Sequence, residues 1–446
     1  MAKPTLGVEI DFSNGASFGY PLILNDPNFG LLDEGILGDA PADIVDITNQ
    51  VMRLSTRRGR NRILSNFEAG TATVVLNDPN GDFNPQNAPN PPLSPGSPYY
   101  GKLLPLRKIR IYADQDRGDG VIQRFYMFSG YITSYDTGFY QGVDTTSTVT
   151  LQCVDGFRLL NNVSTDIPPV PGCTAGQLSG TRVNALLDYA DWPNSLRNID
   201  TGDSTMMADP GGNRSILSAI QTIEQSEFGA FYIQPTGVAR FLDRTDVSEL
   251  ADVGVRVFSD NTTLFPGSLP YVNLDVAFDD QLILNDVTVT RYNDGTIPAP
   301  VPQIVIDQDS VDRYFYKSGQ RNDILVQTDS EANDQARTLV AARKNAELRI
   351  DSMTLTLSTE DNALNVAGLT TDIYRLVYIY KTVSGGSAIQ KELFVQGVQH
   401  DITPNSWTTK FFTQEPIIQA FILDSATQGL LADVENSTIY NNALSY

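Results

Sequence analysis

The stretch 51–87 constrains the fold more than any other part of the chain. Residues 69–76 are small or β-branched, which suits a strand that packs side chains on both of its faces. Residues 77–82 then combine Asn, Asp, Pro and Gly, which accept unusual backbone angles or bond their own backbone, so they predict a turn. A basic cluster precedes the strand: Arg53, Arg57, Arg58, Arg60 and Arg62. The stretch therefore predicts a strand and turn beside concentrated positive charge.

Composition narrows the class of protein. The chain has 446 residues, of which 19% are charged, with 34 glycines and 25 prolines, and this balance favours a mainly β protein. The net charge of -22 repels phosphate, whose binding needs a surplus of Lys and Arg. No apolar run approaches the length of a membrane span. We therefore expect no sequence-specific nucleic acid partner and no membrane insertion.

The residues used most often in catalysis are scarce. His400 is the single histidine, and although Asp401 and Ser406 lie near it in sequence, the strand–turn–helix elbow that a nucleophilic serine needs is missing. We expect His400 to be structural. Cys153 and Cys173 form no disulfide framework and no zinc site, so reduced thiols and folding in a cytoplasm are expected.

Acidic residues are abundant, and chance proximity between them is common. Asp191, Glu224 and Asp243 lie in the segment with a plausible cleft, but nothing in their spacing marks a catalytic pair. The turn 78–82 offers oxygen ligands for calcium but lacks the EF-hand spacing, which favours a plain turn. We expect no catalytic residue, no bound metal and no cofactor.

Changes in composition divide the chain into five parts. Residues 1–48 contain a strand and an extended apolar arm, and residues 49–165 alternate strands with turns. Residues 166–262 predict two helices against a small sheet, an inserted α/β domain. Residues 263–415 return to strands with one helix, and residues 416–446 form an acidic C-terminal arm.

Three helices are predicted from apolar spacing and capping residues. Thr181 is the expected N-cap of the first, and the second runs over about 214–228 with Gly229 just past its end. Thr328 and Glu331 predict a capping box for the third, which runs to about Glu347.

The two arms share a pattern. Ile23-Leu24-Asn25 with Gly30-Leu31-Leu32 recurs, at the same internal spacing, as Ile422-Leu423-Asp424 with Gly429-Leu430-Leu431. Coincidence in a leucine-rich chain explains this as well as a shared docking role does. An apolar arm outside a sheet needs a surface to cover it, on this subunit or on a neighbour.

Several motifs carry a family resemblance. Arg57-Arg58-Gly59-Arg60, the strand 67–76 and the turn 80–85, followed in order by segments 105–111, 128–132 and 151–156, resemble the opening barrel of the minor tail proteins of long-tailed phages. Segments 226–233 and 395–398 are similar to the middle domain and the second barrel of the same tail-tip or baseplate-hub family. The resemblance implies two antiparallel tube-like β-barrels that flank a small α/β domain, with extended terminal arms.

The resemblance also implies a function. Hub subunits of this family form trimers whose two barrels per chain present a sixfold-like surface. They extend or close the tail tube, contact the distal tail ring and the tape measure protein, hold a spike or fibre, and take part in DNA ejection. This chain is then expected at the tail tip of a virion, made in the host cytoplasm, with no enzymatic activity.

Two other functions remain open on the sequence. A hexameric distal tail ring protein fits if each chain holds one barrel and a peripheral domain, whereas two barrels favour three copies. A carbohydrate-binding or carbohydrate-cleaving tail-tip module predicts an aromatic platform or a paired-carboxylate cleft. The two tryptophans, Trp192 and Trp407, lie where core packing explains them.

The arginine cluster is the main candidate for a functional surface. A solvated loop is one interpretation, and nucleic-acid binding is disfavoured by the net charge. Subunit contact is the third, because guanidinium groups pair bidentately with the carboxylates that this chain supplies. The predicted interface residues are Arg53, Arg57, Arg58, Arg60, Arg62, Leu24, Leu31, Leu32, Leu423, Leu430 and Leu431.

Overall fold

A computed structural model of the chain describes residues 3–16, 18, 43–60, 66–91, 95–138, 147–165, 169–249, 255–295, 298–358, 361–386, 388–415, 419–420 and 442–443. Seven strands come first: β1 (Thr5–Asp11), β2 (Ile44–Asp46), β3 (Val51–Gly59), β4 (Glu68–Asn77), β5 (Arg107–Asp116), β6 (Ile122–Gly138) and β7 (Thr148–Val154).

The middle of the chain alternates helices with short strands. In chain order these elements are α1 (Phe157–Asn162), β8 (Gln177–Leu178), α2 (Ser179–Tyr189), β9 (Arg197–Ile199), β10 (Thr205–Met206), α3 (Ile216–Glu227), β11 (Ala230–Ile233), β12 (Ala239–Leu242) and α4 (Arg244–Glu249).

Strands dominate again in the last part. The elements are β13 (Arg256–Ser259), β14 (Leu269–Pro270), β15 (Asn273–Ala277), β16 (Asp286–Arg291), β17 (Gln303–Ile306), α5 (Gln308–Tyr314), β18 (Ser318–Ile324), α6 (Asp329–Arg343), β19 (Arg349–Thr356), α7 (Asn362–Thr370), β20 (Leu376–Lys381), β21 (Ile389–Thr403), β22 (Ser406–Gln414), β23 (Gln419–Ala420) and β24 (Asn442–Ala443).

Fourteen of these strands, taken from the first and the last parts of the chain, form one sheet. Its order is β14-β13-β20-β21-β3-β4-β7-β6-β5-β1-β2, and β22, β19 and β15 continue from β21. The prediction of a mainly β chain is confirmed. The predicted pair of barrels is not confirmed, because the pairing among the described residues closes no barrel and β3 of the first half pairs with β21 of the second.

The two halves of this sheet repeat one topology. Neighbouring strands run β5-β6-β7-β4-β3 in the first half and β20-β21-β22-β19-β15 in the second. The chain also passes through the equivalent strands in the same order: β3, β4, β5, β6 and β7 in the first half correspond to β15, β19, β20, β21 and β22 in the second. The second half carries insertions, with β16 to β18, α5 and α6 between β15 and β19, and α7 between β19 and β20.

A bulge fixes how the two halves correspond. β6 skips a residue against β7 between Ile132 and Ser134, and β21 does the same against β22 between Val395 and Gly397. Counting across the paired strands from these bulges makes Leu54 of β3 equivalent to Leu274 of β15. Both leucines pack in the same hydrophobic core, as the equivalence requires.

The predicted helices are present with changes at their ends. α6 has the predicted capping box of Thr328 and Glu331 but ends at Arg343. α2 begins before Thr181, without a side-chain cap. α3 ends with Phe228, not Gly229, in the left-handed conformation, since the Phe228 N–H bonds back to the Glu224 carbonyl. The domain boundaries themselves stay a prediction.

Candidate functional site

The candidate site is the seam where β3 and β21 join the two halves of the sheet. These strands pair antiparallel, from Leu54 opposite Ile402 to Gly59 opposite Gly397. Gly59 has a φ of +93°, and a Cβ built on it would lie 2.3 Å from the carbonyl oxygen of Gln396. Glycine therefore fits here both for its backbone angle and for the close approach of the two strands.

Arg58 carries a charge from β3 into the interior. Its side chain is 6% exposed, and its Nη2 lies 2.6 Å from Asp372 Oδ1. Its Nε donates a hydrogen bond of 2.9 Å to the carbonyl oxygen of Met127 on β6. One guanidinium thus links three strands or loops that are far apart in sequence.

Arg60 makes a second buried junction just past the end of β3. Its Nε donates to Gln396 Oε1 at 3.0 Å, and its Nη2 donates to the Tyr374 hydroxyl at 2.5 Å. The guanidinium lies over the Phe67 ring, 4.3 Å from the centroid, a cation–π geometry. Its Nη1 is 3.5 Å from Glu224 Oε1 on α3. Arg60 therefore ties the middle of the chain to the seam.

Burial dominates the electrostatics of Glu224. Removal from water raises the pKa of its carboxyl to about 7, while the charges of Arg60 and Arg321 act in the opposite direction. α3 holds Glu224 in place, because Ser215 caps its first turn and Ile216, Ile220 and other apolar residues pack its inner face. The ion pair is thus preorganised by the fold.

The structure separates the members of the arginine cluster. Arg58 and Arg60 contact partners within their own chain, so the prediction that they face a neighbouring subunit is corrected. Arg53 is exposed, and Arg57 is half-buried, 3.9 Å from Glu68 and over the ring of Phe412. An interface role stays a prediction for these two. The other predicted interface residues lie outside the described residues: Arg62, Leu24, Leu31, Leu32, Leu423, Leu430 and Leu431.

His400 is a structural residue of the seam. It lies on β21 opposite Thr56 of β3, is 3% exposed, and its Nδ1 is 3.0 Å from the Thr409 hydroxyl. Burial, with a smaller effect from Arg58, lowers the pKa of its imidazole to about 3. Asp401 instead accepts a hydrogen bond of 2.7 Å from Ser55. The arrangement is that of a neutral core histidine and not of a catalytic triad.

The other candidates for chemistry have structural partners or separate locations. Both carboxylate oxygens of Asp78 accept backbone N–H groups of its own turn, from Asp82 at 2.7 Å and Phe83 at 3.1 Å. Asp191 is exposed in a turn and Asp243 is buried after β12. In the part of the chain that is described, no three His, Cys, Asp or Glu side chains are grouped so as to hold a metal ion.

Cys153 and Cys173 are both buried and are free thiols, as the sequence predicts. Burial raises the pKa of the Cys153 thiol, and it raises that of Cys173 to about 11. A protonated, buried thiol is a small hydrophobic residue with little reactivity.

The repeat leaves a second pair of edges that correspond to the seam. β15, the counterpart of β3, pairs with β19 alone among the described strands, and its flank carries Val276 and Phe278 at 41% and 68% exposure. β6, the counterpart of β21, pairs with β5 from Ile122 to Ile132 and with β7 from Tyr131 to Gly138, so from Ser134 to Gly138 it pairs with β7 alone among the described strands. The chain thus presents, unjoined, the same two edges that it joins in the seam.

Two solved structures with a similar fold are tail proteins. A tail protein from Neisseria meningitidis MC58 matches with a TM-score of 0.52 and 14% identity, covering 82% of this chain and 93% of that one. The chain has the fold of phage tail proteins. The 43 kDa tail protein of prophage MuSo2 from Shewanella oneidensis matches with a TM-score of 0.52 and 11% identity, over 84% of this chain and 94% of that one.

The comparisons with family models and with curated proteins found no match. Across the described ranges, no helix is both long enough and apolar enough to cross a membrane.

Sequence reasoning missed the residues that complete the seam. Asp372, Tyr374 and Gln396 lie more than 300 positions from the arginines that they contact. The local sequence carries no signal for this burial, because residues 55–62 are polar apart from Gly59, and arginine in such a segment is usually exposed.

Proposed function

We propose that this chain is a structural subunit of a phage tail tip, a baseplate hub that extends or closes the tail tube. The observation that carries the proposal is the repeated sheet topology, with one pair of edges joined in the seam and the equivalent pair left free. The shared fold with phage tail proteins supports the same proposal.

Free edges of this kind fit a ring. The outer half of β6 is residues 134–138, which pair with β7 alone among the described strands. If β15 of one copy pairs with this outer half of β6 on the next copy, each subunit contact repeats the seam. Head-to-tail contacts of this type close into a ring when the rotation at each contact is right. With two sheet halves per chain, three copies supply six equivalent halves around the ring.

The seam also specifies a register for the subunit contact. Ser55 lies opposite Asp401 in the seam, and these correspond to Asp275 and Gly138. Val276 of one copy then lies opposite Thr137 of the next. Phe278, now exposed, becomes covered, which removes apolar surface from water.

The proposed partners follow from this position. Other tail proteins lie above and below the ring, namely the distal tail ring and the tape measure protein on one side and a spike or fibre on the other. The proposal places the protein in the virion after synthesis in the host cytoplasm, gives it a part in DNA ejection, and assigns it no covalent chemistry. The acidic surface suits a wall past which DNA moves without binding.

Native mass spectrometry of the purified chain tests the proposal. We expect a trimer, which the paired substitution Val276→Lys and Phe278→Lys converts to monomer by placing charge on the β15 edge. Ile122→Lys is the matched control, because Ile122 is 72% exposed and lies on a hairpin away from both edges. A hexamer favours the distal tail ring, and a monomer that persists at micromolar concentration contradicts the ring.

A further inference from the structure

The small sheet inserted in the second half has an unpaired edge. Its order is β17-β16-β18, and α6 covers one face through Val287, Val305, Leu339 and other core residues. β17 pairs with β16 on one side, and no described strand lies on its other side. On the face away from α6, Ile304 and Ile306 are 59% and 46% exposed.

The backbone of this edge is turned outward. Asp307 N donates a hydrogen bond of 2.9 Å to Asn285 O, in register with the pairing of β17 to β16. Because bonded and non-bonded pairs alternate along antiparallel strands, Val305 also bonds to β16, whereas the amide and carbonyl groups of Ile304 and Ile306 point to the free edge. β17 contains no proline and no charged residue, the features that normally protect an edge from pairing with another chain.

Phe315 adds a strained aromatic residue at the same end of the sheet. It has φ 62° and ψ 176°, a backbone region that almost only glycine adopts, and its side chain is 83% exposed. Asn285, which is buried, enforces this conformation by donating to the Phe315 carbonyl at 2.8 Å and accepting from Lys317 N at 2.8 Å. An exposed phenylalanine in a strained conformation contributes nothing evident to stability, and such strain collects at binding sites.

We propose that the β17 edge and Phe315 form a docking site for an extended segment of another protein, which adds to the small sheet as a fourth strand. The free amide and carbonyl groups of Ile304 and Ile306 pair with that segment, and its alternate side chains pack on the two isoleucines. Phe315 serves as an aromatic contact at one end of the added strand. This site is separate from the ring edges, so the inference does not depend on the proposed ring.

Charge indicates the chemistry of the segment. α5 follows β17 directly and carries Asp309 and Asp312, both exposed, beside Arg313, on a chain with a net charge of -22. A segment with alternating apolar residues and Lys or Arg at its ends complements this surface. A second copy that docks through this same edge is disfavoured, since it would bring its own Asp309 and Asp312 against these carboxylates.

A defined peptide tests the site. The probe is a fluorescent eight-residue peptide that alternates valine with threonine between terminal lysines, and fluorescence anisotropy measures its binding to the full chain. We expect Ile304→Pro to weaken binding at least about tenfold, since it removes an outward N–H without removing a bond to β16. A peptide with terminal glutamates should also bind at least about tenfold more weakly.

Phe315→Gly separates binding from folding. Because glycine adopts this backbone conformation freely, the variant should unfold at a higher temperature than the wild type and yet bind the peptide several-fold more weakly. Ile122→Thr, on a distant hairpin, should leave binding unchanged. Absence of peptide binding, or equal binding by the wild type and Ile304→Pro, overturns the proposal whatever the oligomeric state.

Discussion

Arg60 and Glu224 face each other inside the protein, with 3.5 Å between Nη1 and Oε1 and side-chain exposures of 5% and 4%. The pair joins the end of β3 to α3, so the seam between the two sheet halves is also the place where the middle of the chain is held. A buried pair of this kind contributes little net stability, but removal of Arg60 also leaves the buried side chains of Gln396 and Tyr374 without their hydrogen-bond partner.

Arg60→Ala should therefore lower the free energy of unfolding by about 3–5 kcal/mol, as for other broken buried pairs. Arg57→Ala is the matched control, because Arg57 is half-buried and its loss should cost only about 0–1 kcal/mol. Urea denaturation followed by circular dichroism gives both values. Equal unfolding midpoints for the two variants would show that the Arg60 junction does not hold the seam.

The raised pKa of Glu224 predicts a pH dependence with a definite sign. Between the ordinary value of 4.5 and about 7, the folded chain keeps a proton that the unfolded chain has released. The contribution of Glu224 to stability thus falls as pH rises through this window, by at most about 1.4 kcal/mol per pH unit.

Glu224→Gln removes this titration, so the difference in stability between wild type and variant separates the effect of Glu224 from that of the other carboxyls. Relative to wild type, the variant should gain stability as pH rises from 4.5 to 7.5 in urea denaturation series. A stability difference that stays constant over this range would mean that the folded carboxylate is ionised throughout beside Arg60, and our assignment of burial as the dominant cause would be wrong.

His400 gives a direct spectroscopic test of the seam, because it is the single histidine of the chain. With the pKa of its imidazole near 3, its ring resonances should not move between pH 8 and pH 5 in the folded protein. In urea the same signals should titrate near the ordinary value of 6.5. A titration near 6.5 in the folded state would place His400 in solvent and contradict its burial between β3 and β22.

The lowered pKa of His400 acts on stability in the direction opposite to that of Glu224. The unfolded chain binds a proton on this imidazole below about 6.5, whereas the folded chain does so only near 3. This contribution is therefore present above pH 6.5 and is lost progressively as pH falls toward 3.

Gly59→Ala tests how closely the two strands approach in the seam. The added Cβ meets Gln396 O at 2.3 Å and a positive φ adds strain, so we expect a loss of more than about 2 kcal/mol. Gly267→Ala is the control, since Gly267 has a φ of +85° in open space and should lose only about 1 kcal/mol. Similar losses in thermal or urea unfolding would mean that the strands can separate at this point without cost.

Local features of the sequence were predictable because they depend on neighbouring residues. The strand predicted at 69–76 is Glu68–Asn77, and the capping box of α6 is formed by Thr328 and Glu331. Both rest on short-range rules of side-chain alternation and hydrogen bonding. The family motifs also pointed to the fold that the solved tail proteins share.

Long-range features were not predictable in the same way. The pairing of β3 with β21 joins residues more than 300 positions apart, and no local pattern specifies it. For that reason Arg58 and Arg60 were predicted at an interface, although Asp372 and Glu224 bind them within the chain. The topological repeat is also hard to see in the sequence, since many equivalent residues differ: Leu54 corresponds to Leu274, but Ser55 corresponds to Asp275 and Val74 to Met353.

In the proposed ring, copies join through the β15 edge and residues 134–138 of β6 in the register of the seam. A chain with Val276→Cys and Thr137→Cys tests it by mild oxidation and non-reducing electrophoresis, with Val276→Cys and Ile122→Cys as the control pair. The native thiols Cys153 and Cys173 are buried and should not react. We expect covalent species that end at the trimer and disappear on reduction. Cross-linking no greater than in the control pair would contradict it.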